Sequence, residues 1–156
     1  MFDKLKKAKL VSSPMSAEVL PLAKSADPAH QEEMLGKGAL LIPNEGKVYA
    51  PFNGKAEMVY ETHHALGLVS DDGVELLIHV GLDTVKLNGK HFKTFVKDNQ
   101  TIKEGDLLLE FDIDGIKSAG YNIESPIIVT NTGSFKSVTV TVGGAVKKNE
   151  KLLEIK

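Results

Sequence analysis

Short β-type runs, each closed within a few residues by Gly, Asn, Asp or Pro, set the strongest limit on how this chain can fold. Examples are Ala39–Ile42, Lys47–Tyr49, Ala65–Val69, Val74–Val80, Asp106–Phe111, Ile127–Thr130 and Ser137–Val142. Strands at this spacing point to an all-β fold, a sandwich or barrel-like roll. Helical candidates are minor: Phe2–Leu10, Pro28–Leu35, a turn around Thr84–Leu87, and Asp112–Ala119, which Gly115 weakens.

Two internal echoes suggest related halves. Thr101–Phe111 (TIKEGDLLLEF) returns as Ala145–Ile155 (AVKKNEKLLEI), offset by 44 residues, and each reads as a turn feeding a strand that alternates its faces. More loosely, Ser12–Val19 resembles Tyr49–Val59. The chain of 156 residues fits one domain of ordinary size. That domain is placed over residues 11–156, behind a flexible segment at 1–10. The segment holds four lysines, with Phe2 and Leu5 on one helical face, a weak cationic stripe that offers at most peripheral contact with a membrane.

Composition removes several function classes. With 19 Lys+Arg against 21 Asp+Glu, there is no electrostatic reason to expect nucleic acid as a partner. The absence of cysteine excludes disulfides, thiolate metal sites and cysteine nucleophiles. No apolar run approaches the roughly 20 residues that cross a bilayer, and no signal peptide is visible. A soluble, cytoplasmic protein is expected.

The segment Glu61–Val85 (ETHHALGLVSDDGVELLIHVGLDTV) holds three of the five histidines. From Val74 to Leu82 the pattern alternates: Val74, Leu76, Ile78, Val80 and Leu82 form a core face, and His79 points the other way, beside Leu77 and Asp83. A hairpin centred between Asp71 and Asp72 pairs Val69 with Val74 and sets His64 opposite His79. In that register Ala65, Gly67 and Val69 face the core, and His63 points with them. A three-residue loop would separate the two histidines onto opposite faces.

Two facing imidazoles admit three readings. They are a polar pair on a solvated strand face, two ligands of a metal that still needs a third, or a phosphoryl-transfer centre. In the last, one imidazole attacks and the other donates an N–H to the phosphoryl oxygens.

The two histidine segments together, ETHHALGL and VELLIHVGLDTVKLNG, resemble the active-site segments of the glucose-type IIA component of the bacterial phosphoenolpyruvate-dependent sugar phosphotransferase system. The likeness extends over nearly the whole chain, through FDKLK, SADPAHQEEMLGKGALLIPNEGKVYAPFNG, TIKEGDLLLEFD and SPIIVTNT. It implies that His79 carries the phosphoryl group, that His64 hydrogen-bonds it and is needed to pass it on, and that Thr62 orients His64. It also implies that Asp83 and Asp27 meet basic groups of the donor. Tyr60 and Leu77 fall at positions of an apolar docking collar, to which Leu66 and Val85 are added here.

The resemblance further implies a donor, the histidine phosphocarrier protein HPr, and an acceptor, a cysteine on a IIB domain of a sugar permease. That cysteine must lie elsewhere, since this chain has none. No cofactor is required, a monomer is expected, and zinc enters only where a partner supplies a further carboxylate. Three places depart from the family pattern. His30 stands where an aromatic is usual, Gly36-Lys37-Gly38 replaces Gly-Asp-Gly, and Ser12–Ser25 matches the first strands poorly. The competing readings are a zinc hydrolase, a regulatory binding module, and a lipoyl or biotinyl carrier, whose lysine-bearing hairpin this chain lacks.

Overall fold

In the computed structural model, which describes residues 8–156, fourteen strands pair antiparallel. They begin with β1 (Lys9–Ser12), β2 (Ala17–Pro21), β3 (Lys37–Pro43), β4 (Lys47–Tyr49), β5 (Gly54–Val59), β6 (Ala65–Ser70) and β7 (Glu75–His79). Then follow β8 (Phe92–Thr94), β9 (Gln100–Ile102), β10 (Leu107–Phe111), β11 (Ser125–Val129), β12 (Val138–Val140), β13 (Gly144–Val146) and β14 (Lys151–Ile155). Two short helices, α1 (Pro28–Gln31) and α2 (Ile113–Ser118), and single 3-10 turns at Leu22–Lys24, Thr84–Leu87 and Thr132–Ser134 lie between them. The all-β architecture expected from the run spacing is the one observed.

An eight-stranded sheet runs in the order β13-β2-β3-β11-β7-β6-β5-β9, and two three-stranded sheets run β1-β14-β12 and β4-β10-β8. One core joins all three. Leu41, Leu66, Leu76, Ile78, Ile127 and Val129 of the large sheet pack with Val11, Val48, Leu109 and Leu153 of the small ones. β11 is buried along its whole length, which explains why SPIIV reads as a continuous apolar run. Its Ile127 and Val129 face that core, whereas Ile128 joins Leu22, Leu40, Leu20 and Leu77 in a second cluster on the outer face. The 3-10 turn at Leu22–Lys24 contributes Leu22 to this outer cluster and packs on β3, and α1 packs against that turn.

The echoes correspond to a duplicated unit. Each begins in a strand at one edge of the large sheet (β9 or β13), makes a tight turn, and becomes the central strand of a small sheet (β10 or β14). Gly105 and Asn149, 44 residues apart, take the same left-handed position in the two turns, with φ of 93° and 68°. The turns close alike, Asp106 N–H on the Lys103 carbonyl and Glu150 N–H on that of Lys147. The second echo joins the first: Gly105 N–H donates to Ala50 and Asn149 N–H to Ser13, both at 2.9 Å.

Three local expectations need correction. Residues 1–7 of the amino-terminal segment lie outside the described residues, and Lys9 and Leu10, expected at its flexible end, belong to β1, opposite Ile155 and Glu154. The helix expected over Pro28–Leu35 is a single turn, Pro28–Gln31, because Glu33 adopts φ 56° and redirects the chain. Finally, the β6–β7 hairpin pairs Ala65 with His79, Leu66 with Ile78 and Val69 with Glu75, one residue away from the expected register. Its loop is Asp71–Gly73, three residues, with Ser70 N–H bonded to the Val74 carbonyl and Gly73 at φ 91°. A left-handed third residue is what a turn followed by a bulge requires, and glycine supplies it without strain. The shift puts Leu66 and Leu68, instead of Ala65, Gly67 and Val69, into the central core.

Candidate active site

The outer face of the large sheet carries the histidines. β7 keeps the alternation expected of it: Leu76, Ile78, Val74 and Val80 are in the core, and His79 projects outward with Leu77. The rings of His64 and His79 nevertheless meet, edge to face, with centroids 4.8 Å apart and planes at 84°. By register alone His64 falls opposite Val80, to which its carbonyl is bonded at 2.8 Å. It would then turn toward the core with Leu66. His64 stands one residue before β6, however, and His63 ahead of it takes a left-handed φ of 60°. That local reversal breaks the strand alternation and delivers the imidazole to His79. His63 is not a core residue; it is half-buried, with Nδ1 3.1 Å from Thr94 Oγ1.

Each imidazole is held by one nitrogen. Nδ1 of His79 lies 2.7 Å from the Gly81 carbonyl. A carbonyl only accepts, so Nδ1 carries the proton and Nε2 keeps its lone pair. Gly81 itself sits at φ 77°, and a side chain there would meet Thr84 Cγ2 at 2.5 Å. The acceptor therefore depends on a glycine. Nδ1 of His64 lies 2.6 Å from Thr62 Oγ1, and Tyr60 stacks edge-on against the same ring at 5.6 Å.

Both rings are neutral near pH 7. Burial lowers the pKa of His64 to about 4, with the neighbouring His79 adding to the effect. Burial also lowers that of His79, opposed first by its bond to Gly81 and, more weakly, by the negative charges of Asp27 and Asp83.

The remaining expected residues are distributed around this pair. Asp27 caps α1, accepting from Ala29 N–H at 2.9 Å, and shares with Asp83 a cavity of about 420 Å³. Asp83 is exposed and left-handed (φ 59°), opening the Thr84–Leu87 turn. Val85 is 47% exposed on that turn. Tyr60 and Leu77 border an apolar groove of about 390 Å³. Leu66 is the exception: it is fully buried in the central core, out of reach of any docking surface.

The sequence reading missed three residues of this face. Leu35 and Met58 line the same groove, 46% and 52% exposed, and were masked by their positions in a loop and at a strand bulge. His30 is buried on α1 with its ring 6.2 Å from that of His79. Its departure from the family pattern was the only signal for it. Among the described residues no group of three or more His, Cys, Asp or Glu is arranged to hold a metal ion. Nor is any of their helices long and apolar enough to cross a membrane.

Comparison with known proteins identifies the family and the fold. A profile of the phosphoenolpyruvate-dependent sugar phosphotransferase system, EIIA 1, matches residues 9–135. Among solved structures, the glucose permease IIA from Mycoplasma capricolum superposes with a TM-score of 0.91 at 34% identity, covering 97% of this chain and 98% of that one. Matched along most of its length in sequence and nearly all of it in structure, the chain belongs to the EIIA 1 family of the phosphoenolpyruvate-dependent sugar phosphotransferase system.

Proposed function

We propose that the chain accepts a phosphoryl group on Nε2 of His79 from the phosphohistidine of an HPr-type donor and passes it to a cysteine of a IIB domain. One observation carries the reading: the two neutral imidazoles meet edge to face, and each has its Nδ1 engaged elsewhere. The lone pair on Nε2 of His79 attacks phosphorus in line as the donor's N–P bond breaks, and the donor imidazole recovers its own lone pair. No separate base is needed, because burial keeps His79 unprotonated. His64, with Nδ1 accepting from the Thr62 hydroxyl, presents Nε2–H to the phosphoryl oxygens. In the second step the Nε2–P bond breaks toward an incoming thiolate.

Partner recognition follows from the surroundings. Asp27 and Asp83 offer negative charge to a basic donor surface and steer encounter. Tyr60, Leu77, Val85, Met58 and Leu35 offer apolar contact beside the pair. A shallow centre suits a reaction whose substrates are other proteins.

The test is phosphorylation of the purified chain with phosphoenolpyruvate, the first enzyme of the system and HPr. Intact mass is read before and after mild acid. One acid-labile phosphoryl group is expected, absent from His79→Ala, while His64→Ala accepts it but is impaired in passing it on. A wild-type chain that gains no phosphoryl group from a cognate donor overturns the reading.

A further inference from the structure

Three imidazoles, not two, converge on this face. His30 is 6% exposed, and its ring is tilted by 56° to that of His79 at a centroid distance of 6.2 Å. Among the described residues its Nδ1 is the one buried side-chain nitrogen or oxygen with no hydrogen-bond partner. Oδ2 of Asp27 stands at 3.9 Å, too far for a bond, while Oδ1 of the same carboxylate is taken by Ala29 N–H. Leaving a buried nitrogen unpaired carries a free-energy cost. Such a cost is understandable where another state of the molecule satisfies the group.

The phosphorylated state has that property. A phosphoryl group on His79 brings up to about two negative charges into a face that already carries Asp27 on the cap of α1 and Asp83 after β7. His64 contributes one neutral N–H. Of the other charged groups near α1, Glu124 is occupied by Ala26 N–H and Asn122, and Lys24 is exposed at the end of its turn. His30 neighbours both groups, with Nδ1 3.9 Å from Asp27 Oδ2 and its ring 6.2 Å from that of His79.

On the phosphocarrier reading above, we propose that His30 is a positioning residue of the phosphorylated state. When His79 receives the phosphoryl group, His30 takes one proton from solvent, and its imidazolium bridges the phosphoryl oxygens and Asp27. The bonds broken and formed in the transfer are unchanged. The proton comes from bulk water and returns there when the phosphoryl group leaves.

The test is an imidazole ¹⁵N NMR titration of the full chain, unphosphorylated and phosphorylated through HPr. It is paired with the equilibrium partition of phosphoryl between HPr and the chain for wild type, His30→Phe and His30→Gln. Phosphorylation should raise the His30 titration midpoint by about one unit or more. His30→Phe, which keeps a ring but has no N–H, should lower the partition about tenfold near pH 6 and flatten its pH dependence. His30→Gln keeps a donor and should recover part of the level without the pH dependence, a split that a packing role would not produce. An unmoved His30 midpoint in a phosphorylated chain, or a His30→Phe partition equal to wild type at every pH, overturns this proposal alone. A wild-type chain that accepts no phosphoryl overturns it together with the reading beneath it.

Discussion

The Thr62 hydroxyl lies 2.6 Å from Nδ1 of His64, two residues along the chain, in a ring that also meets His79 edge to face. On the proposed reading, that bond occupies Nδ1 and leaves Nε2 of His64 to face the phosphoryl group. Thr62→Val removes it at nearly constant volume. Transfer from phosphorylated His79 to a IIB domain should slow about tenfold, equivalent to ~1.4 kcal/mol. Thr62→Ser should restore most of the rate. Rapid-quench single-turnover kinetics check this, and an unchanged rate in the valine variant would remove Thr62 from the centre.

The buried, neutral state of His64 gives stability a definite pH dependence. Its folded pKa is about 4, against about 6.5 unfolded. Above the unfolded value neither state binds the proton, and the full stability is present. As pH falls from about 6.5 toward 4 the unfolded chain protonates first, so stability declines, by up to about 2 kcal/mol near pH 5. His79 is shifted the same way and adds to the decline. Urea titrations at pH 7 and pH 5 should therefore differ more for wild type than for His64→Gln.

Leu66 and Met58 separate the core from the docking rim. Leu66 is fully buried among Ile78 and its neighbours, so Leu66→Ala should cost about 2–5 kcal/mol in unfolding free energy. Met58, 52% exposed, should cost less than about 0.5 kcal/mol as alanine yet weaken binding of the protein donor. Chemical denaturation and calorimetric binding measure the two effects independently.

Gly81→Ala tests the carbonyl that holds His79. The new methyl would lie 2.5 Å from Thr84 Cγ2 and 2.9 Å from the Asn122 carbonyl, at a φ of 77°. A loss of about 2 kcal/mol or more in stability is expected. Below the melting transition, phosphoryl acceptance should also fall, because Nδ1 of His79 loses its fixed acceptor. A folded variant phosphorylated at the wild-type rate would show that the Gly81 bond is dispensable.

How far the fold could be read in advance depended on whether the signal was periodic. β7 was legible because Val74, Leu76, Ile78 and Val80 alternate and bury one face, although Leu82, expected to continue it, is only half-buried beside Asp83. The duplicated turns were legible because Lys103–Asp106 and Lys147–Glu150 repeat the same backbone closure. The β6–β7 register was not. Two-, three- and four-residue loops all accommodate SDDG, and the choice lies in the left-handed φ of Gly73, which leaves no mark on the hydrophobic pattern. The histidine pair survives that one-residue shift only because His63 reverses the backbone ahead of β6. Two deviations, each sufficient to part the imidazoles, compensate. His30 escaped notice as a site residue for a related reason. Its approach to His79 depends on α1 folding over the outer face, a tertiary contact with no periodic trace.

The eight-stranded sheet ends on β9 and β13, three residues each, and both are the first strands of the duplicated unit. After those three residues each chain turns away into a small sheet, and the unpaired backbone at either margin is too brief to template another strand. Recognition by strand addition is thereby closed off at both margins. A visiting protein finds side chains to read on the outer face and no ladder to extend. Its stay can then be set by a few apolar contacts and charges, which is the kind of short encounter a relay depends on.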